Sequence, residues 1–128
     1  MALSNRDRVG RAFEVLATGL GPYVERRMRA SSRSGKDWLR DFFASANPPI
    51  RGEASVNDPA LLLRVMAETW ERAFATELGR SDRNLVFELR DVRNRWAHND
   101  AFNVDDAYRA LDSIERLLTA ADAREATE

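Results

Sequence analysis

The chain has 128 residues, 44% of them hydrophobic and 32% charged, so it can form one compact core and is too short for two ordinary domains. It contains no cysteine and one histidine, which excludes a disulfide framework, a thiolate metal site and a multi-histidine zinc site. We therefore expect no metal and no other cofactor. The formal net charge of -1 gives no global attraction to nucleic acid, so any RNA contact has to be local.

Membrane association is not expected from the pattern of apolar residues. The longest apolar runs are short, as at residues 61–63, and the N-terminus lacks the apolar segment of a secretory signal. The sequence predicts a cytoplasmic protein that does not enter a membrane.

Helical periodicity begins near the N-terminus. The apolar residues of the first helix recur at spacings of three or four, namely Val9, Phe13, Leu16 and Leu20. Ser4 or Asn5 can cap its start. Residues 19–22, Gly-Leu-Gly-Pro, predict a kink or a short turn, with Pro22 in the first turn of a second helical piece. Residues 30–57 are less regular and contain one short helix at 37–43.

Two further helices follow in the middle of the chain. Asp58 and Pro59 predict a helix start, and Gly79 is expected to end that helix. Its buried stripe comprises Leu62, Val65, Met66, Trp70, Phe74 and Leu78. Ser81 is expected to cap the next helix, and the core-facing edge of that helix comprises Leu85, Leu89, Val92 and Trp96.

A last helix is expected after Asn103, which can serve as its cap. The predicted buried side comprises Ala107, Tyr108, Leu111, Ile114, Leu117 and Leu118. No segment alternates with the period of a strand, so we expect an all-α, single-domain bundle of four to five helices. The domain is predicted to span residues 1–123, and residues 124–128 to form a frayed C-terminal tail.

The segment most indicative of function is Arg-Asn-Arg-Trp-Ala-His at residues 93–98, which contains the only histidine. Imidazole, with an unperturbed pKa of roughly 6.5, exchanges protons near neutral pH, and guanidinium holds a phosphate at two points. On a continuous helix Asn94 and His98 lie within about 40° of each other, whereas Arg93 and His98 are about 140° apart. Trp96 is interpreted as a core residue rather than as a stacking platform for a base.

A purely structural interpretation of the same segment is also open. His98 can be a helix-terminal residue that donates to carbonyls, while Arg93 and Arg95 pair with Glu88, with Asp91 or with an acid on another helix.

Three stretches of this sequence resemble one known family. Residues 89–98 read Leu-Arg-Asp-Val-Arg-Asn-Arg-Trp-Ala-His, residues 105–112 read Asp-Asp-Ala-Tyr-Arg-Ala-Leu-Asp, and the chain opens with Leu-Ser-Asn-Arg-Asp-Arg-Val-Gly-Arg-Ala at 3–12. The chain resembles the HEPN superfamily (higher eukaryotes and prokaryotes nucleotide-binding). Within that superfamily the chain resembles a subgroup of domains similar to the C-terminal domain of a yeast messenger-RNA quality-control endoribonuclease. Domains of this subgroup are often found at the N-terminus of large bacterial ATPases linked to phage defence.

The resemblance implies specific roles for the 93–98 segment. The family signature of an Arg, a polar residue, three to five further residues and a His corresponds to Arg93, Asn94 and His98. Active members are metal-independent endoribonucleases whose site forms between two copies of the chain. His98 would then be the general acid or base, Arg93 would stabilise the phosphoryl charge and Asn94 would orient them. Arg90 and Arg95 are the expected RNA contacts.

The resemblance also implies partners. RNA, a second copy in a homodimer, and a larger ATPase or an antitoxin are the expected ones, in a toxin or phage-defence setting. Family toxins silenced by a nucleotidyltransferase carry a tyrosine two residues after the histidine, and Asp100 stands there instead. Two alternatives to a ribonuclease remain open: a non-catalytic HEPN module that dimerises and binds RNA or a nucleotide, and a helical interaction domain in which residues 93–98 are structural.

Overall fold

A computed structural model describes residues 3–52 and 55–126, with side chains as far as residue 122. The described part contains five α-helices and no strand, which confirms the predicted all-α bundle. The helices are α1 (Asn5–Ser31), α2 (Trp38–Ser45), α3 (Pro59–Glu68), α4 (Arg80–Ala97) and α5 (Val104–Ala126). A short 3-10 turn (Gly35–Asp37) precedes α2, and a π-helical turn (Trp70–Phe74) follows α3.

The bundle is built around α1, which packs against α3, α4 and α5. Asn5 near the start of α1 donates to the carbonyl of Phe102 just before α5, and Gly19 further along lies against Leu118 of α5. The two long helices therefore run in the same direction. The predicted apolar face of α1 is confirmed, since all four of its residues are at most 2% exposed. No helix in the described ranges is long and apolar enough to span a bilayer.

Three predicted helix starts are confirmed by their caps. Ser4, rather than Asn5, caps α1, and its hydroxyl accepts from the Asp7 amide at 3.0 Å. The Asp58 carboxylate accepts from the Ala60 amide at the start of α3. At α5, the Asn103 side chain accepts from the Asp106 amide at 2.7 Å while the Asp106 carboxylate accepts from the Asn103 amide. These side chains satisfy amides that would otherwise lack a partner.

The predicted short turn within the first helix is wrong, and the alternative of a kink stays a prediction. Helix α1 continues through Pro22, although proline has no N–H to donate to the carbonyl four residues earlier. Pro22 and Thr18 are exposed, so water can satisfy that carbonyl. The neighbouring Gly21, Tyr23 and Val24 are buried, and their packing outweighs the local preference for a break.

The predicted continuous helix from Asp58 to Gly79 is also wrong. It ends at Glu68 and changes into the π-helical turn, in which the Ala75 amide donates to the Trp70 carbonyl. The stripe from Leu62 to Leu78 is nevertheless buried throughout. Gly79, not Ser81, is the cap of α4, and its amide donates to the Asp82 carboxylate at 2.9 Å.

The buried side of α5 was predicted too broadly. Ala107, Ile114 and Leu117 are buried, but Tyr108 is 78% exposed and Leu111 is 39% exposed. The face packed against α1 and α4 is narrow and uses small residues such as Ala110, so the flanking apolar residues face outward. The backbone is helical to residue 126, residues 127–128 lie outside the described ranges, and the frayed tail at 124–128 stays a prediction.

Candidate functional site

Helix α4 ends at the predicted functional segment. His98 caps the helix, and its amide donates to the Asn94 carbonyl at 2.9 Å. Asn99 then takes a left-handed conformation with φ 63°, which asparagine tolerates better than most residues. The chain turns there toward α5, so the end of α4 lies at the surface.

His98 and Asn94 form one exposed edge of this helix end. Both side chains are exposed, and the His98 amide still bonds to Asn94, so the two residues lie one helical turn apart as predicted. Within the described residues, the His98 ring makes no hydrogen bond to a carbonyl. The imidazole is therefore exposed to solvent at this edge.

Arg93 lies on a different side of α4. It is partly buried, and its guanidinium carbon is 4.9 Å from the centre of the Trp96 ring. Neither Glu88 nor Asp91 pairs with it among the described side chains; Glu88 pairs with Arg109 instead. Arg93 separates two surface clefts, one of about 530 Å³ beside α1 and one of about 260 Å³ beside α3.

Trp96 anchors the end of α4 to the start of α1, as its apolar spacing predicts. Its indole N–H donates to the Arg6 carbonyl at 3.1 Å, and the Arg6 guanidinium donates back to the Trp96 carbonyl at 2.7 Å. The Arg6 guanidinium also lies 4.5 Å from the ring centre. The ring packs closely on Gly10, where a Cβ would come within 3.0 Å of it. This reciprocal pair also satisfies a carbonyl in the last turn of the helix.

Arg95 holds the turn between α4 and α5. It donates to the Ala101 carbonyl at 3.1 Å and pairs with Asp106 at 3.5 Å and with Asp100 at 3.9 Å. Its guanidinium also stacks on Phe102. The Asp100 carboxylate is thus drawn toward Arg95, and an RNA contact by Arg95 stays a prediction.

The sequence reasoning missed Arg6 and Arg64. Arg6 is separated from Trp96 by 90 positions, and Arg64 of α3 lines the same cleft as Arg90 and Arg93. No local pattern signals such contacts, because they depend on how the helices pack. Among the described residues, no group of three or more acidic or histidine side chains is arranged to hold a metal ion.

A family model supplies the decisive comparison. The model described as Swt1-like HEPN matches residues 11–122. The chain belongs to the Swt1-like HEPN family. No curated protein and no solved structure matches it. In this HEPN domain the matched region includes all of α4 and the segment from Arg93 to His98, which confirms the family resemblance found in the sequence.

Proposed function

We propose that this HEPN domain is a metal-independent endoribonuclease whose active site is completed by a second copy of the chain. The observation that carries the proposal is the exposed edge of Asn94 and His98 at the end of α4, with an imidazole that has no hydrogen-bond partner among the described residues. Arg93 lies nearby without a carboxylate partner in the described part of the chain. Family membership supports an RNA substrate.

The proposed chemistry assigns one role to each residue. His98 accepts the proton of a ribose 2′-hydroxyl, or donates a proton to the departing 5′-oxygen. The 2′-oxygen attacks the phosphorus and the bond to the 5′-oxygen breaks, which leaves a 2′,3′-cyclic phosphate and a 5′-hydroxyl. Arg93 stabilises the charge on the phosphoryl oxygens, and Asn94 orients the reacting groups.

The positions of these residues favour a site shared by two copies. Arg93 and His98 are about 140° apart around the helix axis, and Arg93 is stacked on Trp96. A single copy therefore presents the imidazole and the guanidinium to different sides. A second copy facing the end of α4 can supply the missing group across the same phosphate.

The biological system in which this ribonuclease would act is part of the same proposal. A cytoplasmic toxin or phage-defence system fits the family, with a larger ATPase or an antitoxin as a further partner. Asp100 occupies the position of the tyrosine that nucleotidyltransferase-silenced toxins carry, so that form of control is not proposed.

Cleavage of a mixed RNA pool in EDTA tests the proposal. The wild type is expected to release fragments with cyclic phosphate ends. His98→Ala and Arg93→Ala are each expected to lower the rate by about 100-fold or more. Asp91→Ala is the matched control, because Asp91 is an exposed residue on the same helix near the Asn94 edge. It is expected to cleave like the wild type.

Stability measurements separate catalysis from folding. His98 is exposed and its side chain forms no hydrogen bond within the described residues, so His98→Ala should change the free energy of unfolding by less than about 0.5 kcal/mol. If His98→Ala cleaves RNA at the wild-type rate, the proposed function is wrong.

The second candidate is a non-catalytic HEPN module that binds RNA or a nucleotide. The stacking of Arg93 on Trp96 favours it, because that contact gives the guanidinium a structural role within its own chain. This candidate predicts that a folded dimeric wild type binds RNA without cleaving it and that His98→Ala binds equally well.

A further inference from the structure

We propose that the cleft between α3 and α4 binds a second phosphate group of the RNA strand, a few nucleotides away from the phosphate at His98. This proposal rests on the proposed function, which places the RNA strand at the end of α4. The cleft has a volume of about 260 Å³ and is lined by Arg64, Glu68, Arg90, Arg93 and Asn94, with Pro48 closing one side. Three guanidinium groups and one carboxylate thus surround one cleft.

The charges in this cleft are not balanced. Arg64 pairs with Glu68 at 2.6 Å and donates to the Pro48 carbonyl at 2.7 Å, so these two residues neutralise each other. Arg90 and Arg93 are partly buried and form no ion pair within the described residues. Charges in a cleft are screened less than charges on an open surface. The cleft therefore presents an excess of positive charge to an anion, and guanidinium groups match a phosphate in geometry.

The neighbouring cleft beside α1 is a poorer site for phosphate. It shares Arg93, but it is also lined by Arg11 and by the carboxylates of Asp7 and Glu14. Its two acidic residues offset its two arginines and repel phosphoryl oxygens. The charge distribution therefore favours the α3–α4 cleft.

The position of Asn94 connects this cleft to the candidate catalytic edge. Asn94 lines the cleft and lies one turn before His98. Arg90 precedes His98 by eight residues, which corresponds to about 12 Å along the helix axis. Stacked nucleotides are spaced by roughly 3.4 Å per strand, so the phosphate near Arg90 is a different one from the phosphate at His98. Binding there would fix the register of the strand.

Anisotropy titrations of a short labelled 2′-O-methyl RNA test this assignment, since the probe lacks the free 2′-hydroxyl needed for cleavage. Arg90→Ala is expected to raise the Kd by about tenfold or more and to reduce the slope of log Kd against log salt by about 0.7. Arg83→Ala is the matched control. Arg83 lies two turns earlier on the same side of α4 and does not line the cleft. It is expected to leave both quantities unchanged.

Other outcomes overturn the assignment. It is wrong if the wild type does not bind the probe, if Arg90→Ala binds as tightly as the wild type, or if Arg83→Ala weakens binding equally. Displacement of the probe by adenosine monophosphate at a comparable Kd would assign the cleft to free nucleotides instead. Arg90→Gln keeps two of the three methylene groups and removes the charge, and it repeats the test if Arg90→Ala does not fold. Binding that depends on Arg90, without cleavage of ordinary RNA, overturns only the proposed function.

Discussion

His98 and Arg93 of the candidate site differ in how firmly the protein holds their side chains. The His98 ring has no hydrogen bond in the described part of the chain, whereas Arg93 is stacked on Trp96. Periodicity alone predicted that Asn94 and His98 share an edge, because that relation is local to one helix. It did not predict the reciprocal bonds between Arg6 and Trp96, which join opposite ends of the chain.

A buried tyrosine gives a residue-level prediction about alkaline pH. Tyr23 is fully buried and its hydroxyl donates to Glu77 at 3.0 Å. Burial first, and then the Glu77 carboxylate, raise the pKa of Tyr23 well above its ordinary value of about 10. The unfolded chain therefore loses this proton at a pH where the native state keeps it, and the stabilisation is complete below about pH 10 and falls above it.

Tyr23→Phe is expected to remove this dependence. In the wild type, the native state keeps one proton that the unfolded chain loses, so the free energy of unfolding falls by about 1.4 kcal/mol per pH unit above pH 10. Urea titrations from about pH 9 to 11 measure that slope. Tyr108→Phe is the control, since Tyr108 is 78% exposed, and it should keep the wild-type slope. An unchanged slope in Tyr23→Phe would show that another group controls the alkaline transition.

At the level of elements, the glycines of α1 serve helix packing rather than a turn. A Cβ on Gly21 would come within 2.9 Å of the Val56 carbonyl oxygen, which precedes α3. A Cβ on Gly19 would meet the Leu118 side chain at 2.7 Å. The sequence predicted a break here because Gly and Pro usually mark turns, and nothing local shows that another segment needs this space. The π-helical turn after α3 could not be predicted from the local sequence either, because the apolar spacing continues although the helix type changes.

Two alanine substitutions in α1 distinguish a close approach to backbone, at Gly21, from a close approach to a side chain, at Gly19. Gly21→Ala is expected to lower the free energy of unfolding by about 1–3 kcal/mol, because the opposing group is backbone and cannot rotate away. Gly19→Ala should be near neutral, since a partly exposed leucine side chain can move and alanine favours helix by about 1 kcal/mol. Chemical denaturation of both variants measures the difference. Equal losses for the two variants would contradict this account of the close approach.

For the whole molecule, the sequence predicted the all-α bundle, most of the caps and most of the core, because each depends on local periodicity and capping chemistry. It did not predict which flank of α5 is left uncovered, so Tyr108 and Leu111 were wrongly assigned to the core. Which residues of α5 are buried depends on where α1 and α4 pack against it. The separation of Arg93 from the His98 edge, in contrast, follows from the geometry of one helix and was predicted, and it underlies the proposal that two copies form one site.

The most direct test of that proposal is complementation between two inactive variants. Arg93→Ala and His98→Ala are purified separately, mixed and allowed to exchange subunits, and RNA cleavage is then measured. In a mixed dimer, one chain supplies Arg93 and the other supplies His98 to the same phosphate, so cleavage is expected to reappear. Absence of cleavage in a mixture where mass spectrometry detects mixed dimers would contradict it, because a site contained within one chain is never restored by exchange.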